Sequence, residues 1–159
     1  MKKTIELPPC PNEKVPVAEG PFHHIIDIQS RFGDYDLFGH VNNSVYLQMM
    51  DLAKVAYFEA AMGRSLPVKG EVVVVVNVNI SFFSPALPGE ALSVVTRCTR
   101  LSQHSFTLEQ RVVNAATGDV KCIGTTVMAG FDTRTSSGIA IPSLWPTPSA
   151  PWSPNPLSP

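Results

Sequence analysis

Residues 31–43 bring together the side chains of this chain that are best suited to chemistry. They read RFGDYDLFGHVNN, with two acids at Asp34 and Asp36, a histidine at His40 and two asparagines at the end. A carboxylate and an imidazole can move protons or attack a carbonyl carbon near neutral pH. On residue types alone, a catalytic loop and a plain connection between two elements are equally open.

Asn42 and Asn43 stand at the start of a long helical pattern, which gives them a structural explanation. Asparagine is a preferred residue at helix N-termini, because its side-chain oxygen accepts a hydrogen bond from a backbone N–H that lacks a helical partner. Capping accounts for one of the two asparagines. It does not account for Asp36 and His40, which we expect in a loop at the edge of the domain.

The segments on either side predict the elements that position this loop. Residues 23–31 are β-branched and partly alternating, which predicts a strand. Residues 43–62 predict one long helix, because apolar residues recur at helical spacing and Gly63 follows in the usual C-terminal position. We expect this helix to be largely buried, with a narrow polar stripe. The stripe consists of Ser44, Gln48, Asp51, Lys54 and Glu59.

Four consecutive strands are predicted after the helix, at 71–84, 91–101, 105–114 and 120–132. This order excludes a doubly wound α/β fold, which needs a helix between parallel strands. We predict an α+β fold in the order β-α-β-β-β-β, with an antiparallel sheet around one long helix. Since one helix covers only one face of a sheet, we also expect dimerisation to cover an edge or the other face.

Proline marks the boundaries of the folded unit. Of fifteen prolines, five lie in residues 1–21 and seven in 142–159. Proline fixes φ and lacks a backbone donor, so such stretches resist helices and central strands. We predict an irregular N-terminal segment at 1–20, one domain at 21–141 and a Pro-rich tail at 142–159.

Composition excludes several classes of function. Twelve basic and thirteen acidic side chains give a net charge of -1, whereas nucleic-acid binding needs a concentrated positive field. The longest apolar run, at 72–76, is far shorter than the roughly 20 residues that span a bilayer, and no secretory signal is visible. Three separate cysteines favour a reducing compartment, and four histidines show no metal-ligand spacing. We therefore expect a cytoplasmic protein without a metal centre, a nucleic-acid partner or a membrane segment.

The pattern D-x-D-x-x-G-H-V-N-N, followed by x-x-Y-L and an aliphatic helix, resembles the hotdog-fold acyl-CoA thioesterases of the 4-hydroxybenzoyl-CoA thioesterase type. The matching residues are Asp34, Asp36, Gly39, His40, Val41, Asn42, Asn43, Tyr46 and Leu47. The segment ISFFSPA at 80–86 is also similar to the family, and Glu90 stands where the family often has Asp. The resemblance spans about residues 23–132 and implies the hotdog fold.

The resemblance implies hydrolysis of an acyl-CoA thioester, with Asp36 as the catalytic carboxylate. Asp36 would act as a general base on water or attack the carbonyl to form a mixed anhydride, and both routes stay open. The helix N-terminus would be the oxyanion site, with the Asn43 backbone N–H as donor and Asn42 nearby. Three roles for His40 stay open: it acts on the thioester or water, it orients Asp36, or it shapes the loop.

The resemblance also implies how substrate is bound. The residues expected to bind substrate or line the acyl pocket are Gly39, Asn42, Tyr46, Asp51, Phe82 and Phe83. Asp51 would make a polar contact near the acyl channel or the dimer seam, and Asp34 would be a structural acid of the turn. Two subunits would form the pocket walls, so we expect a homodimer that assembles further into a homotetramer. No cofactor is expected, because CoA is part of the substrate.

Two other functions stay open. A hydratase or dehydratase of the same fold also sets an Asp and a His against a thioester, although in a different motif. A hotdog dimer can also bind an acyl-CoA or an acyl-carrier protein without catalysis.

Overall fold

A computed structural model of the chain describes residues 4–143 and residue 145. It confirms the predicted order of one strand, one long helix and four strands, and adds a short 3-10 turn and a two-residue strand. The elements are β1 (His24–Ile28), the 3-10 turn (Phe32–Asp34), α1 (Asn43–Met62), β2 (Glu71–Phe82), β3 (Leu92–Leu101), β4 (Ser105–Asn114), β5 (Val120–Asp132) and β6 (Ser137–Gly138). Much of the predicted Pro-rich tail, namely residue 144 and residues 146–159, lies outside the described residues.

The strands form one antiparallel sheet in the order β1-β3-β4-β5-β2, with β6 paired to the end of β5. β1 and β2 are therefore the edges. β1 is shorter than the predicted strand because its partner β3 begins at Leu92, opposite Ile28. β2 ends at Phe82 because the next two backbone N–H groups, of Phe83 and Ser84, both donate to the carbonyl oxygen of Lys121.

Both ends of α1 are capped as the sequence predicts. The Asn42 side chain accepts a hydrogen bond from the Ser44 N–H, and Gly63 ends the helix with a left-handed φ of 68°. Gly63 favours this conformation because it has no Cβ. The N–H of Gly63 donates to the Glu59 carbonyl at 2.8 Å, which satisfies one of the last helical acceptors.

Only one side of α1 is buried against the sheet, so the helix is less buried in a single chain than its pattern predicts. Leu47, Leu52 and Val55 are 39–57% exposed. Lys54 also departs from the prediction, since it belongs to the predicted polar stripe and yet is buried. Its ammonium group lies 2.8 Å from the carboxylate of exposed Asp51, one turn away.

The opposite face of the sheet is covered by the irregular N-terminal residues 4–22. Neighbouring residues of β3 lie on opposite faces of the sheet. Val94 packs in the cluster beneath α1, and Val95 packs with Val15 and Phe22 of the N-terminal segment. The chain itself therefore covers the face that α1 leaves open. Within the described ranges, no helix has both the length and the apolar character that crossing a bilayer requires.

Candidate active site

The loop between β1 and α1 folds into a tight turn that presents Asp36 and His40. The Asp36 N–H donates to the His40 carbonyl at 2.8 Å, and the Gly39 N–H donates to the Asp36 carbonyl at 3.0 Å. Gly39 has a φ of 74°, in the left-handed region that favours glycine. The Asn42 N–H donates to the Asp34 carbonyl at 2.8 Å, which closes the base of the turn where the helix begins.

The carboxylate of Asp36 is held by one oxygen only. Its Oδ1 accepts hydrogen bonds from the backbone N–H groups of Phe38 at 2.9 Å and His40 at 3.3 Å. Within residues 4–143, no hydrogen bond reaches Oδ2. The side chain is therefore oriented by the turn, while its second oxygen is available to water or to a carbonyl carbon.

Asp34 has a different environment from Asp36, although the two acids are one residue apart. Asp34 is buried, and Arg31 occupies both of its carboxylate oxygens. The Arg31 N–H donates to Oδ2 at 2.8 Å and the guanidinium donates to Oδ1 at 3.1 Å. This arrangement supports the structural interpretation of Asp34.

The N–H of Asn43, in the first turn of α1, is an open backbone donor. The Ser44 N–H is bonded to the Asn42 side chain at 3.0 Å, and the Val45 N–H donates to the Asn42 carbonyl at 2.9 Å. The Asn43 N–H makes no hydrogen bond to any described residue. A free N–H at the positive end of a 20-residue helix is suited to bind a negatively charged oxygen.

The segment that follows β2 is bonded to both the loop and the helix. The Val41 N–H donates to the Ala86 carbonyl at 3.0 Å, and the Ala86 N–H donates to the Tyr46 hydroxyl at 3.1 Å. The ring of Tyr46 packs edge-on against Phe82, with centroids 5.5 Å apart. Burial raises the pKa of the Tyr46 hydroxyl above its usual value, although the hydrogen bond from Ala86 opposes this rise, so the hydroxyl stays protonated at neutral pH.

These elements surround an open cleft of about 260 Å³. Its lining residues are Asp36, His40, Val41, Asn43, Tyr46, Phe82, Phe83, Ser84 and Pro85. Six of the nine predicted site residues thus lie around one space. Gly39 and Asn42 shape the loop and the cap beside it, and Asp51 does not line the cleft in a single chain.

Three lining residues were not predicted, namely Val41, Ser84 and Pro85. All three belong to segments that carry the resemblance, and the similar segment at 80–86 was the signal that could have found Ser84 and Pro85. Across the described residues, no group of three or more His, Cys, Asp and Glu side chains is arranged to hold a metal ion.

Comparison with known proteins defines the class of this chain. Residues 30–154 match the Thioesterase-like superfamily, and the chain belongs to that superfamily. The antiparallel sheet with one long helix is the hotdog fold of thioesterases, as predicted. A search of curated protein sequences finds no match.

Solved structures share the fold over most of their length. A thioesterase from Thermus thermophilus, complexed with coenzyme A and Zn, is 26% identical with a TM-score of 0.66, covering 77% of this chain and 94% of that chain. The PA2801 protein of Pseudomonas aeruginosa is 28% identical with a TM-score of 0.69, covering 75% and 92%. Slr0204, a 1,4-dihydroxy-2-naphthoyl-CoA thioesterase from Synechocystis, is 23% identical with a TM-score of 0.68, covering 79% and 92%. At that last identity the similarity concerns the fold alone.

Proposed function

We propose that this protein hydrolyses an acyl-CoA thioester to a free carboxylic acid and CoA, as a thioesterase of the 4-hydroxybenzoyl-CoA type. One observation carries the proposal: a carboxylate oxygen of Asp36 without a protein partner and the unbonded Asn43 N–H belong to residues that line the same cleft. A thioester carbonyl needs a base or nucleophile on one side and a hydrogen-bond donor to its oxygen on the other.

Two routes start from the free Oδ2 of Asp36. As a general base, Asp36 takes a proton from water, the water oxygen bonds to the carbonyl carbon, and the C–S bond breaks to release the CoA thiolate, which takes up a proton. As a nucleophile, Oδ2 itself bonds to the carbonyl carbon and displaces the thiolate, and water then hydrolyses the mixed anhydride. In both routes the Asn43 N–H would donate to the oxygen on which negative charge develops.

His40 is best explained by a role toward substrate or water. Its backbone N–H donates to Asp36 Oδ1, but its imidazole makes no hydrogen bond to Asp36 or to any other described residue. The ring lines the cleft instead. This favours a role in which the His40 ring polarises the thioester or binds water. It speaks against a role in which the ring orients the Asp36 carboxylate.

The proposal includes a homodimer formed through β2. This edge strand is 12 residues long and leaves Val75, Val76, Val78 and Phe82 exposed. An unpaired apolar edge is a template for a second strand, and a two-fold axis would pair β2 with its own copy. Phe82 is 48% exposed at the cleft, so the partner subunit would complete the wall there. Assembly into a homotetramer stays a prediction that this site does not require.

The proposed substrate is an acyl-CoA, and CoA belongs to that substrate, so the proposal includes no separate cofactor. Neither a nucleic-acid partner nor a membrane partner is part of it. The cytoplasmic location predicted from cysteine usage is retained within the proposal.

The test is release of free thiol from a panel of acyl-CoAs with short aliphatic and aryl groups, detected with a thiol reagent. We expect steady turnover by the native protein and a loss of about 10²- to 10⁴-fold in Asp36→Asn and Asp36→Ala, since this is the usual contribution of a positioned acid or base. Asp27→Asn, on β1 outside the cleft, is the matched control and should retain full turnover. Circular dichroism checks folding.

Each rival predicts a different result in the same assay. A hydratase or dehydratase would change the acyl group without releasing thiol, and a binding protein would retain acyl-CoA without turnover. If Asp36→Asn kept near-native turnover, the proposed mechanism would be wrong even though the activity was real.

A further inference from the structure

A buried lysine lies behind the cleft wall. The side chain of Lys121, on β5, is 3% exposed, and its ammonium group has three acceptors. They are Glu90 Oε1 at 2.7 Å, Asp119 Oδ2 at 2.8 Å and the Pro85 carbonyl at 3.3 Å. Three acceptors match the three protons of an ammonium group. Lys121, Glu90 and Asp119 are called the Lys121 cluster below.

The Lys121 cluster fastens the whole segment 83–90 to the sheet. Ser84 Oγ donates to Asp119 Oδ2 at 3.0 Å, and the Leu87 N–H donates to Glu90 Oε2 at 2.8 Å. The carbonyl of Lys121 accepts the N–H groups of Phe83 at 2.9 Å and Ser84 at 3.3 Å. Backbone and side chain of one lysine therefore hold the same segment.

That segment is the part of the cleft that touches the catalytic loop. Phe83, Ser84 and Pro85 line the cleft, and the next residue, Ala86, accepts the Val41 N–H and donates to the Tyr46 hydroxyl. Val41 directly follows His40 in the chain. A displacement of segment 83–90 would therefore move the turn that carries the proposed base.

We propose that Lys121 is a positioning residue for the reaction, an inference that rests on the proposed function. Together with Glu90 and Asp119, it fixes segment 83–90 so that Ala86 holds the Asp36–His40 turn in register with the N-terminus of α1. Lys121 touches neither substrate nor the reacting atoms. It acts through the peptide between Pro85 and Ala86.

The charge of Lys121 is needed because two carboxylates face it. Burial alone would lower the pKa of Lys121, but the hydrogen bonds and charges of Asp119 and Glu90 raise it above its usual value. Removing the ammonium group would leave two neighbouring carboxylates and the Pro85 carbonyl without their shared donor. The carboxylates would then repel each other and loosen the segment they anchor.

The test compares Lys121→Met with a control that disturbs a similar cluster away from the cleft. Glu109 on β4 joins Arg97 and Arg111 on the opposite face of the sheet, with O–N distances of 2.9 and 2.7 Å. Glu109→Gln removes one charge from that cluster and touches no cleft residue. Turnover and KM are measured at a temperature at which circular dichroism shows every variant folded.

We expect kcat of Lys121→Met to fall by about tenfold or more, because small misplacements of catalytic groups are costly. KM should change by less than kcat, because Lys121 itself touches no substrate, and Glu109→Gln should keep kcat within about twofold of the native value. If Lys121→Met does not fold, Glu90→Gln replaces it, since Lys121 then keeps its partner Asp119. A folded Lys121→Met or Glu90→Gln variant with native kcat would overturn the proposal.

A second readout does not depend on activity. Hydrogen exchange of the Val41 amide reports its bond to the Ala86 carbonyl. We expect faster exchange of this amide in Lys121→Met or Glu90→Gln, and no selective change in Glu109→Gln. Unchanged exchange would refute the positioning role even if the native protein released no thiol. A lack of thiol release together with altered exchange would count against the proposed function alone.

Discussion

Two clusters of buried charge hold proline-containing segments to this sheet, one at the cleft and one on the opposite face. At the cleft, Lys121 donates to two carboxylates and the Pro85 carbonyl. On the opposite face, Glu109 accepts from Arg97 and Arg111, and Arg111 donates to the Pro16 carbonyl at 2.8 Å. The side chains of Arg97, Glu109 and Arg111 are 9–13% exposed and are called the outer cluster below.

The segments that the two clusters hold have different neighbours. The outer cluster fixes the N-terminal segment, where both guanidinium groups lie over the Phe22 ring, 5.7 and 5.8 Å from its centroid. The Lys121 cluster fixes residues bonded to the proposed catalytic loop. Burial and ion pairing alone therefore do not identify a functional residue. The role of such a cluster depends on which part of the molecule its anchored segment contacts.

The largest expected effect that separates the two regions is on stability. Phe22→Ala removes a buried ring from the outer face and should lower the free energy of unfolding by about 3 kcal/mol, measured by urea denaturation. Turnover of the folded protein should be unchanged, because Phe22 lies on the face away from the cleft. Val17→Ala is the matched control in the same segment, since Val17 is 91% exposed.

Two results would remove the contrast between the regions. One is a large loss of turnover in folded Phe22→Ala, which would mean that the outer face also positions the cleft. The other is an equal loss of stability in Val17→Ala, which would mean that the N-terminal segment is not anchored through Phe22.

Much of the fold could be predicted because local patterns coincide with tertiary contacts. The limits of α1, β4 and β5 follow from helical spacing, an asparagine cap, a C-terminal glycine and polar turns. The candidate site loop was predictable for a related reason. Its chemistry-bearing residues are contiguous, so one motif contains Asp36, His40 and Asn43 together, and all three line the cleft.

The Lys121 cluster could not be predicted, because its members meet only through strand pairing. Phe82 pairs with Cys122 in the β2–β5 ladder, which sets Lys121 beside the segment that follows β2. In the sequence Lys121 looks like an ordinary solvated charge, and no alternation shows its burial, since both of its neighbours, Val120 and Cys122, are buried as well. Proline content likewise predicts an irregular N-terminal segment but not the sheet face that it covers.

A medium effect on the free energy of unfolding is expected for the hydrogen bond that joins segment 83–90 to α1. Tyr46→Phe removes the hydroxyl that accepts the Ala86 N–H and leaves that buried donor unpaired, which should cost about 1.5 kcal/mol of unfolding free energy. Turnover should fall as well, since Ala86 also holds the proposed catalytic loop. Tyr35→Phe is the control for stability, because within the described residues its hydroxyl makes no hydrogen bond. Equal effects in both variants would show that the bond to Ala86 is not what links the segment to the helix.

The smallest expected effect is a pH dependence of the free energy of unfolding that is due to Glu90. Burial would raise the pKa of Glu90, but the hydrogen bonds from Lys121 and Leu87 and the charge of Lys121 hold it below its usual value of 4.5. A carboxyl group with a lowered pKa stabilises the fold above its unfolded pKa, and this contribution is lost as pH falls through the folded pKa. Three other groups lie near Glu90. They are Asp119, from the turn before β5, the neutral amide of Asn114 on β4, and the Tyr46 hydroxyl, which interacts with the charge of Glu90.

The native protein should therefore exceed Glu90→Gln in unfolding free energy by a constant amount between pH 7 and about pH 5, and by less below about pH 4.5. Urea denaturation of both proteins at pH 7, 5, 4 and 3 measures this difference. Lys121 stays charged throughout, because its pKa is raised, so the change would be due to the carboxylates alone. A difference that stayed constant to pH 3 would mean that Glu90 does not depend on its charge to hold the segment. The Lys121 cluster would then hold segment 83–90 through hydrogen bonds rather than through charge. In that case Lys121→Met should be compared with a substitution that places a neutral hydrogen-bond donor at position 121.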